Sequence, residues 1–187
     1  MPLGGVHPIG SEHRWFDDRA DPCTLLVFVD DASGRLMQLR LVPSESTFAY
    51  FEALQGYLET HRSGASVRFR QEAGGLAASR GRPIAFYSDQ HSVFRATQKD
   101  PTGGQGMTQF GRALAELNIE SLCANSSQAK GRVERANRTL QDRLVKELRL
   151  AGISDLVAGN AFLPGFIERF NARFAVAPVR PDDRTGR

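Results

Sequence analysis

The sequence of 187 residues predicts a single mixed α/β domain. Short apolar runs rich in β-branched residues, typical of buried strands, alternate with longer segments whose apolar residues recur at helical spacing. An apolar content of 41% in a chain of this length is enough for one core and excludes a disordered chain. The predicted element order is strand, strand, helix, strand, helix, strand, helix, helix, and no internal repeat is visible.

The first predicted elements form a hairpin. Residues 1–22 are rich in Gly, Pro and Asp and show no period, so they predict no regular element. The run CTLLVFVD (23–30) predicts a buried strand, DASG (31–34) a turn and RLMQLRLV (35–42) a second strand. Because the connection between the two strands is short, an antiparallel hairpin is expected.

A helix is predicted after the hairpin. Ser44 or Ser46 can cap it, and its helical spacing of apolar residues continues to about His61. Residues 62–82 are dominated by Gly, Ala, Ser and Arg without a period, which is typical of a mobile surface loop. Two further strands are predicted at 83–89 and 119–125, and a helix between them at 108–117.

Helices are predicted for the rest of the chain. The segment NSSQAKGRVERANRTLQDRLVKEL (125–148) carries an apolar stripe at helical spacing, made by Val133, Leu140, Leu144 and Leu148. Ser154 can cap the next helix, and Pro164 is expected to break it and begin another. The polar residues 176–187 indicate a linker or a tail.

The positive charge of the chain is local. The net charge is +3, but residues 128–150 hold seven Lys or Arg and three Asp or Glu, a balance of +4. The rest of the chain is therefore near neutral, and the basic segment is the candidate surface for a polyanion. The two cysteines lack the spacing of a zinc site. No apolar run is long enough for a membrane span and no secretory signal is visible, so a cytoplasmic protein without membrane contact is expected.

Two acids are the candidate catalytic residues. Asp89 ends a predicted strand, and Glu134 lies on the basic helix. Alone, the first would be a turn aspartate and the second a solvated helix acid. Together, an acid at a strand end and an acid on a following helix can converge to hold Mg²⁺ for phosphodiester chemistry. The surrounding bases would then contact nucleic-acid phosphates; they are Lys130, Arg132, Arg135 and Arg138.

Several strings of the sequence resemble one known family. They are HRWF, CTLLVFVDDASGRLMQLRLVPSEST, GRPIAFYSDQHSVFR, NAFLPGFIERFNARFAV and, most specific, NSSQAKGRVERANRTLQ. Together with the rest of the segment 106–153, they cover nearly all of residues 11–181. They resemble the catalytic core of ISNCY-like insertion-sequence transposases of the retroviral-integrase group. The resemblance implies an RNase H-like mixed sheet flanked by helices. It also implies a DDE triad that cuts and joins DNA with Mg²⁺ or Mn²⁺.

The resemblance places only two acids of the triad on this chain. The second falls on Asp89 and the third on Glu134, and their carboxylates are expected about 4–6 Å apart, near enough to share one ion. The first acid precedes a Gly-Ser pair in the family, where this chain has Ile9. Asp30 and Asp31 fall in the hairpin turn and should not substitute. The first strand is therefore expected to be degenerate, and the enzyme weak or inactive.

The resemblance also implies a domain layout. Residues 1–10 are expected to be a degenerate lead, residues 11–175 the catalytic core, and residues 176–187 a linker or tail. Within the core, residues 62–80 would be an inserted loop, because the family passes almost directly from the helix to GRP. Upstream DNA-end-binding parts of such transposases have no counterpart in this sequence.

Three alternatives remain open from the sequence. The chain could be a non-catalytic module that binds DNA or pairs with itself or with an intact transposase. It could be an active enzyme in which Glu12, Asp17 or Asp18 replaces the missing acid. It could also be the product of a gene remnant. DNA is the expected partner in each case where the chain functions.

Overall fold

The computed structural model describes residues 5–30, 33–62, 85–88, 108–117, 119–123 and 127–175. The strands are β1 (Gly5–His13), β2 (Cys23–Asp30), β3 (Leu36–Val42), β4 (Ala85–Ser88) and β5 (Glu120–Cys123). The helices are α1 (Thr47–Arg62), α2 (Gln109–Glu116), α3 (Ser127–Leu150) and α4 (Leu156–Phe174), with a 3₁₀ turn at Asp17–Arg19. The predicted mixed α/β domain is confirmed. The loop predicted at 62–80 lies, from residue 63 onward, outside the described residues, as does the tail at 176–187.

The sheet has five strands in the order β3-β2-β1-β4-β5. β1 is antiparallel to β2 and parallel to β4, and β4 is parallel to β5. β1 therefore lies in the centre of a mixed sheet, with the predicted hairpin of β2 and β3 on one side. This order places β4 beside β1, and in their parallel register the end of β4 is level with Pro8, in the middle of β1, which matters for the site.

The central strand is the element that the sequence pattern missed. β1 pairs with β2 at eight positions, from Val6 opposite Asp30 to His13 opposite Cys23. Pro8 and Gly10 interrupt its apolar pattern, since both residue types disfavour strands locally. Pairing with β2 from Val6 to His13, together with pairing to β4 at Gly5 and Val6, outweighs that preference, and the strand is regular across residue 10. Within the described part of this strand the departure from the family pattern is one of residue type, at Ile9, and the domain boundary expected at residue 10 stays a prediction.

Helices cover both faces of the sheet. On one face, Leu26 and Phe28 of β2 pack in a core with buried residues of α1 and α2. On the other face, Leu25, Val27 and Val29 pack in a second core with the buried residues of α3 and α4. This alternation along β2 is the period expected of a strand that is buried on both faces.

α4 is a single helix, although Pro164 was expected to divide it. Two asparagines of α4 hold it against the free edge of β3 on either side of the proline. The Asn160 amide bonds the backbone N–H and C=O of Leu41 at 2.9 Å each, and the Asn171 amide bonds those of Leu36 at 2.8 Å each. These contacts and the buried apolar face stabilise a continuous helix and offset the hydrogen bond that proline cannot make. The helix begins after the cap Asp155, and not at Ser154 as predicted.

Candidate functional site

The β1 residue at the position of the missing acid lies on the sheet face that α3 covers. Ile9 pairs with Val27, whose side chain belongs to the core beneath α3 and α4. Side chains directly opposite on paired strands share a face, so Ile9 lies on this face with His7, Ser11 and His13. Ile9 is half-buried, in the middle of the central strand.

α3 crosses this face in the same direction as β1. The Nε2 atom of Gln141 donates a hydrogen bond to the Ser11 hydroxyl at 3.3 Å, and the Arg149 guanidinium donates to the Asp17 carboxylate at 2.8 Å. Glu134 precedes Gln141 by seven residues, about 10 Å at 1.5 Å per helical residue. The same distance covers about three strand residues before Ser11. Glu134 is therefore level with the Pro8–Ile9 part of β1.

Asn137 occupies the intervening turn of α3. It lies four residues before Gln141, about 6 Å along the helix, and Ile9 lies two residues before Ser11, a similar distance along the strand. Asn137 is thus level with Ile9. Its Oδ1 atom is buried and has no hydrogen-bond partner in the part of the chain that the structure describes.

Asp89, the second predicted acid, lies outside the described residues. It directly follows β4, which ends at Ser88. Val6 pairs with Phe86 in the parallel register of β1 and β4, so the end of β4 is level with Pro8. The predicted 4–6 Å approach of the Asp89 and Glu134 carboxylates stays a prediction.

The predicted phosphate-binding bases divide into two groups. Arg135 and Arg138 are exposed beside the exposed Glu134, and neither has an ion pair with another described residue. Lys130 and Arg132 belong to α3 by their backbone, but their side chains lie outside what the structure describes.

Two of the three bases further along α3 are paired with carboxylates, and the guanidinium of the third, Arg143, lies 4.6 Å from the centre of the Phe174 ring. Lys146 pairs with Asp142 one turn earlier, and the Arg149 guanidinium lies 2.8 Å from Asp17. Arg169 of α4 in turn pairs with Glu147 at 2.7 Å. Among the described residues, the positive charge available to a partner on α3 is therefore greatest in its N-terminal half, around Glu134.

The acids proposed as replacements for the first ligand lie elsewhere. Asp17 is bonded to Arg149, which follows Glu134 by fifteen residues, about 22 Å along α3. That hydrogen bond lowers the pKa of Asp17 and keeps it charged in its own ion pair. Asp18 is exposed and pairs with Arg14 at 2.6 Å, in the same turn.

Glu12 and Asp30 are also unsuitable as replacements. In the register of β1 and β2, Glu12 stands opposite Thr24 and Asp30 opposite Val6. Glu12 and Val6 are each an odd number of residues from Ile9 along β1, so Glu12 and Asp30 lie on the sheet face opposite Ile9. The Asp30 carboxylate accepts a hydrogen bond from the Ser33 backbone N–H at 2.9 Å and stabilises the hairpin turn. The expectation that Asp30 should not substitute agrees with this position, whereas the alternative of Glu12, Asp17 or Asp18 as the missing ligand does not.

These positions bear on a divalent metal. Mg²⁺ prefers several oxygen ligands, and Ile9 offers none where the family's first carboxylate is expected. The described residues contain no group of three His, Cys, Asp or Glu that could hold a metal ion. Of the two predicted ligands, only Glu134 lies within the described residues, because Asp89 lies outside them. The residues described do not fit a complete metal site.

Sequence reasoning predicted Glu134 and the bases as site residues, which stays a prediction, and it did not include Ser11, Asn137 and Gln141. Asn137 and Gln141 are three and seven residues after Glu134, and that spacing places all three on one side of a helix. The spacing could have indicated them, but only with the knowledge that this side of α3 faces β1.

The chain is similar to two curated proteins that are both named as transposases. No family model matches the chain. The chain is 65% identical over 174 residues to "Putative transposase y4bF" of Sinorhizobium fredii, covering 93% of this chain and 34% of the relative. It is 32% identical over 166 residues to "Transposase for insertion sequence IS1202" of Streptococcus pneumoniae, covering 88% and 31%. The chain thus spans about a third of the length of these curated relatives.

Solved structures share the fold. The catalytic core domain of BIV integrase matches with a TM-score of 0.60 at 14% identity, covering 97% of this chain and 93% of that one. A chain of the simian T-cell lymphotropic virus intasome, in complex with a PP2A regulatory subunit, matches with a TM-score of 0.57 at 13% identity, covering 97% and 53%. At these identities the likeness establishes the RNase H-like fold alone. No helix within the described residues is long and apolar enough to cross a membrane.

Proposed function

Because this chain belongs to the insertion-sequence transposases and has the RNase H-like fold of integrase catalytic cores, we propose that it is a transposase catalytic-core segment with an impaired active site. The family reaction is metal-dependent cleavage and strand transfer of DNA. This chain would still contact DNA but would carry out little or no strand cleavage. The predicted cytoplasmic location stays a prediction.

The observation that carries the proposal is Ile9. It lies at the centre of β1, on the face covered by α3, level with Asn137 and within about one helical turn of Glu134 along α3. A carboxylate at that point would supply negative charge to metal ions, whereas a butyl side chain supplies neither charge nor a lone pair. Asp89 and Glu134 are proposed as the remaining ligands of Mg²⁺ or Mn²⁺, and two carboxylates do not position two ions well. No step of the reaction is therefore assigned to this chain as it stands.

Contact with DNA does not depend on the missing ligand. Arg135 and Arg138 are exposed on α3 beside Glu134, and phosphate contacts need positive charge without a metal. We assign them, with Lys130 and Arg132, to the DNA backbone. Such contacts carry no sequence information, so binding should be non-specific and should weaken steeply with salt. Pairing with a second copy or an intact transposase would place this segment in a larger assembly.

The test is nicking of generic duplex DNA in Mg²⁺ or Mn²⁺. Three proteins are compared: the parent chain, Ile9→Asp, and Ile9→Asp combined with Glu134→Gln. The parent should nick weakly or not at all, Ile9→Asp should gain activity, and the combined variant should lose it again. Binding of the same DNA in EDTA should be unchanged across the series to within a few-fold.

Robust nicking by the parent would contradict the proposal if Glu134→Gln abolished it. That result would require another ligand in place of Ile9, outside the described residues. Loss of DNA binding in all three proteins would contradict the other half of the proposal, since α3 would then not contact DNA.

A further inference from the structure

The contact between β1 and α3 is lined by polar side chains. On the strand, His7, Ser11 and His13 lie on the face toward α3, and on the helix Asn137 and Gln141 lie on the side toward β1. Ser11 is buried and is bonded to Gln141 across this contact. We call this set the polar seam. It differs from the neighbouring cores, where the facing side chains are apolar.

Ile9 interrupts the polar seam at the level of Asn137. Asn137 is level with Ile9, one helical turn before the Gln141–Ser11 hydrogen bond. Its Oδ1 atom is buried without a hydrogen-bond partner among the described residues. A buried carboxamide oxygen normally has one, because leaving it unsatisfied is destabilising. Asn137 and the apolar interruption at Ile9 therefore lie at the same level of the contact between β1 and α3.

We propose that position 9 belongs to the polar seam and that Asn137 is the residue that positions a polar side chain carried there. The carboxamide can turn by 180° and present either its oxygen or its N–H₂ group to position 9. A carboxylate at position 9 would accept from the N–H₂ group, just as the Ser11 hydroxyl accepts from Gln141. The proposal deepens the proposed function, because it names a positioning residue for the ligand that this chain lacks.

The test is a thermal-unfolding cycle in EDTA without DNA. It compares the parent, Asn137→Leu, Ile9→Asp and the double variant, with leucine chosen because it is similar in size to asparagine. Asn137→Leu alone should leave the melting temperature unchanged or raise it, since it removes a buried oxygen that has no hydrogen-bond partner among the described residues. Ile9→Asp should lower the melting temperature less when Asn137 is present. The expected difference is about 2–4 °C, the effect of one ordinary hydrogen bond in a chain of this size.

The pH dependence separates positioning from a structural role. Donation from Asn137 favours the charged carboxylate and lowers its folded pKa relative to the same carboxylate in the Asn137→Leu background. That stabilisation is present above the unfolded pKa of about 3.9 and is lost as the pH falls through the folded value. The 2–4 °C difference should therefore be present at pH 7.5 and shrink near pH 4. In a matched cycle with Ile9→Asn, which does not titrate, the difference should not change with pH.

Two results would overturn the inference. Equal effects of Ile9→Asp in both backgrounds would show that the two positions do not interact. A fall of several degrees for Asn137→Leu in the parent would show that Asn137 already has a stabilising partner there. If Ile9→Asp does not fold, the cycle with Ile9→Asn decides alone. Neither metal nor DNA is present, so failure here leaves the proposed function intact, and failure of the nicking assay leaves the cycle interpretable.

Discussion

DNA affinity should depend on where a positive charge lies on α3, and not only on the number of charges. We predict that replacing Arg135 and Arg138 by Gln weakens binding of generic duplex DNA, because both guanidinium groups are exposed and neither is paired with a described carboxylate. The matched control replaces Lys146 of α3 and Arg169 of α4 by Gln, which removes the same number of positive charges. These two bases are already paired with Asp142 and Glu147.

The magnitude follows from counterion release. Each phosphate neutralised on duplex DNA contributes about 0.9 to the slope of log K against log salt concentration. Loss of two contacts should reduce the slope by about 1.8. Between 50 and 200 mM salt, a fourfold range, the ratio of the parent's affinity for DNA to that of the Arg135 and Arg138 variant should therefore change by roughly tenfold. The control should reduce the slope by much less, since its bases already have partners.

The assay is fluorescence anisotropy with a short labelled duplex in EDTA at several salt concentrations. Circular dichroism on each variant checks that α3 is retained. An equal loss of slope in the control would refute the argument from local pairing, because total charge would then decide the affinity. No loss in the Arg135 and Arg138 variant would show that this part of α3 does not contact DNA.

Three further predictions concern stability. Asn171→Ala should lower the free energy of unfolding by about 2 kcal/mol, since two hydrogen bonds to the edge strand β3 are lost. Urea unfolding measures this loss, with the exposed Glu168→Ala as the control variant. Gly159→Val should destabilise by about 1–3 kcal/mol, because a Cβ there would lie 2.7 Å from Leu41 Cδ1; a variant as stable as the parent in urea would contradict this. Asp17 has a pKa lowered by Arg149, so its stabilising effect is present above the unfolded pKa of about 3.9 and is lost on acidification. The melting temperatures of the parent and of Asp17→Asn should therefore converge as the pH falls below about 3.9. A difference that stays constant with pH would contradict a stabilising ion pair between Asp17 and Arg149.

The secondary structure that the sequence predicted correctly is the part in which local pattern and tertiary environment agree. The run 23–30 is apolar without interruption, and it forms β2, which is covered on both faces. Ser46 was one of two candidate caps for α1, and its hydroxyl accepts a hydrogen bond from the Ala49 N–H at 3.2 Å. In such segments the hydrophobic period and the capping residue are sufficient, since both act over a few residues.

Two elements were decided by partners distant in sequence. β1 contains Pro8 and Gly10 and has no strand pattern of its own, yet it is the central strand because β2 and β4 pair with it on both sides. α4 continues through Pro164 because Asn160 and Asn171 hold it to β3, more than a hundred residues earlier in the chain. Local propensity differences are about 1 kcal/mol per residue, or about 3 for proline, and cooperative tertiary contacts exceed them.

The sequence by itself determined the family resemblance, the acid Glu134 within a basic helix, and the replacement of an expected aspartate by Ile9. These are matters of residue identity, so they can be read without coordinates. Only the tertiary structure decided that Ile9 faces α3 and that Asn137 lies level with it, with an oxygen that has no hydrogen-bond partner in the described part of the chain. It also decided that Asp17 is held by Arg149, about 22 Å along α3 from Glu134. The physical reason is that the side-chain period of a strand and the rise of a helix fix only relative positions within each element. The alignment between the two elements is set by long-range contacts such as the hydrogen bond from Gln141 to Ser11, which no local pattern encodes.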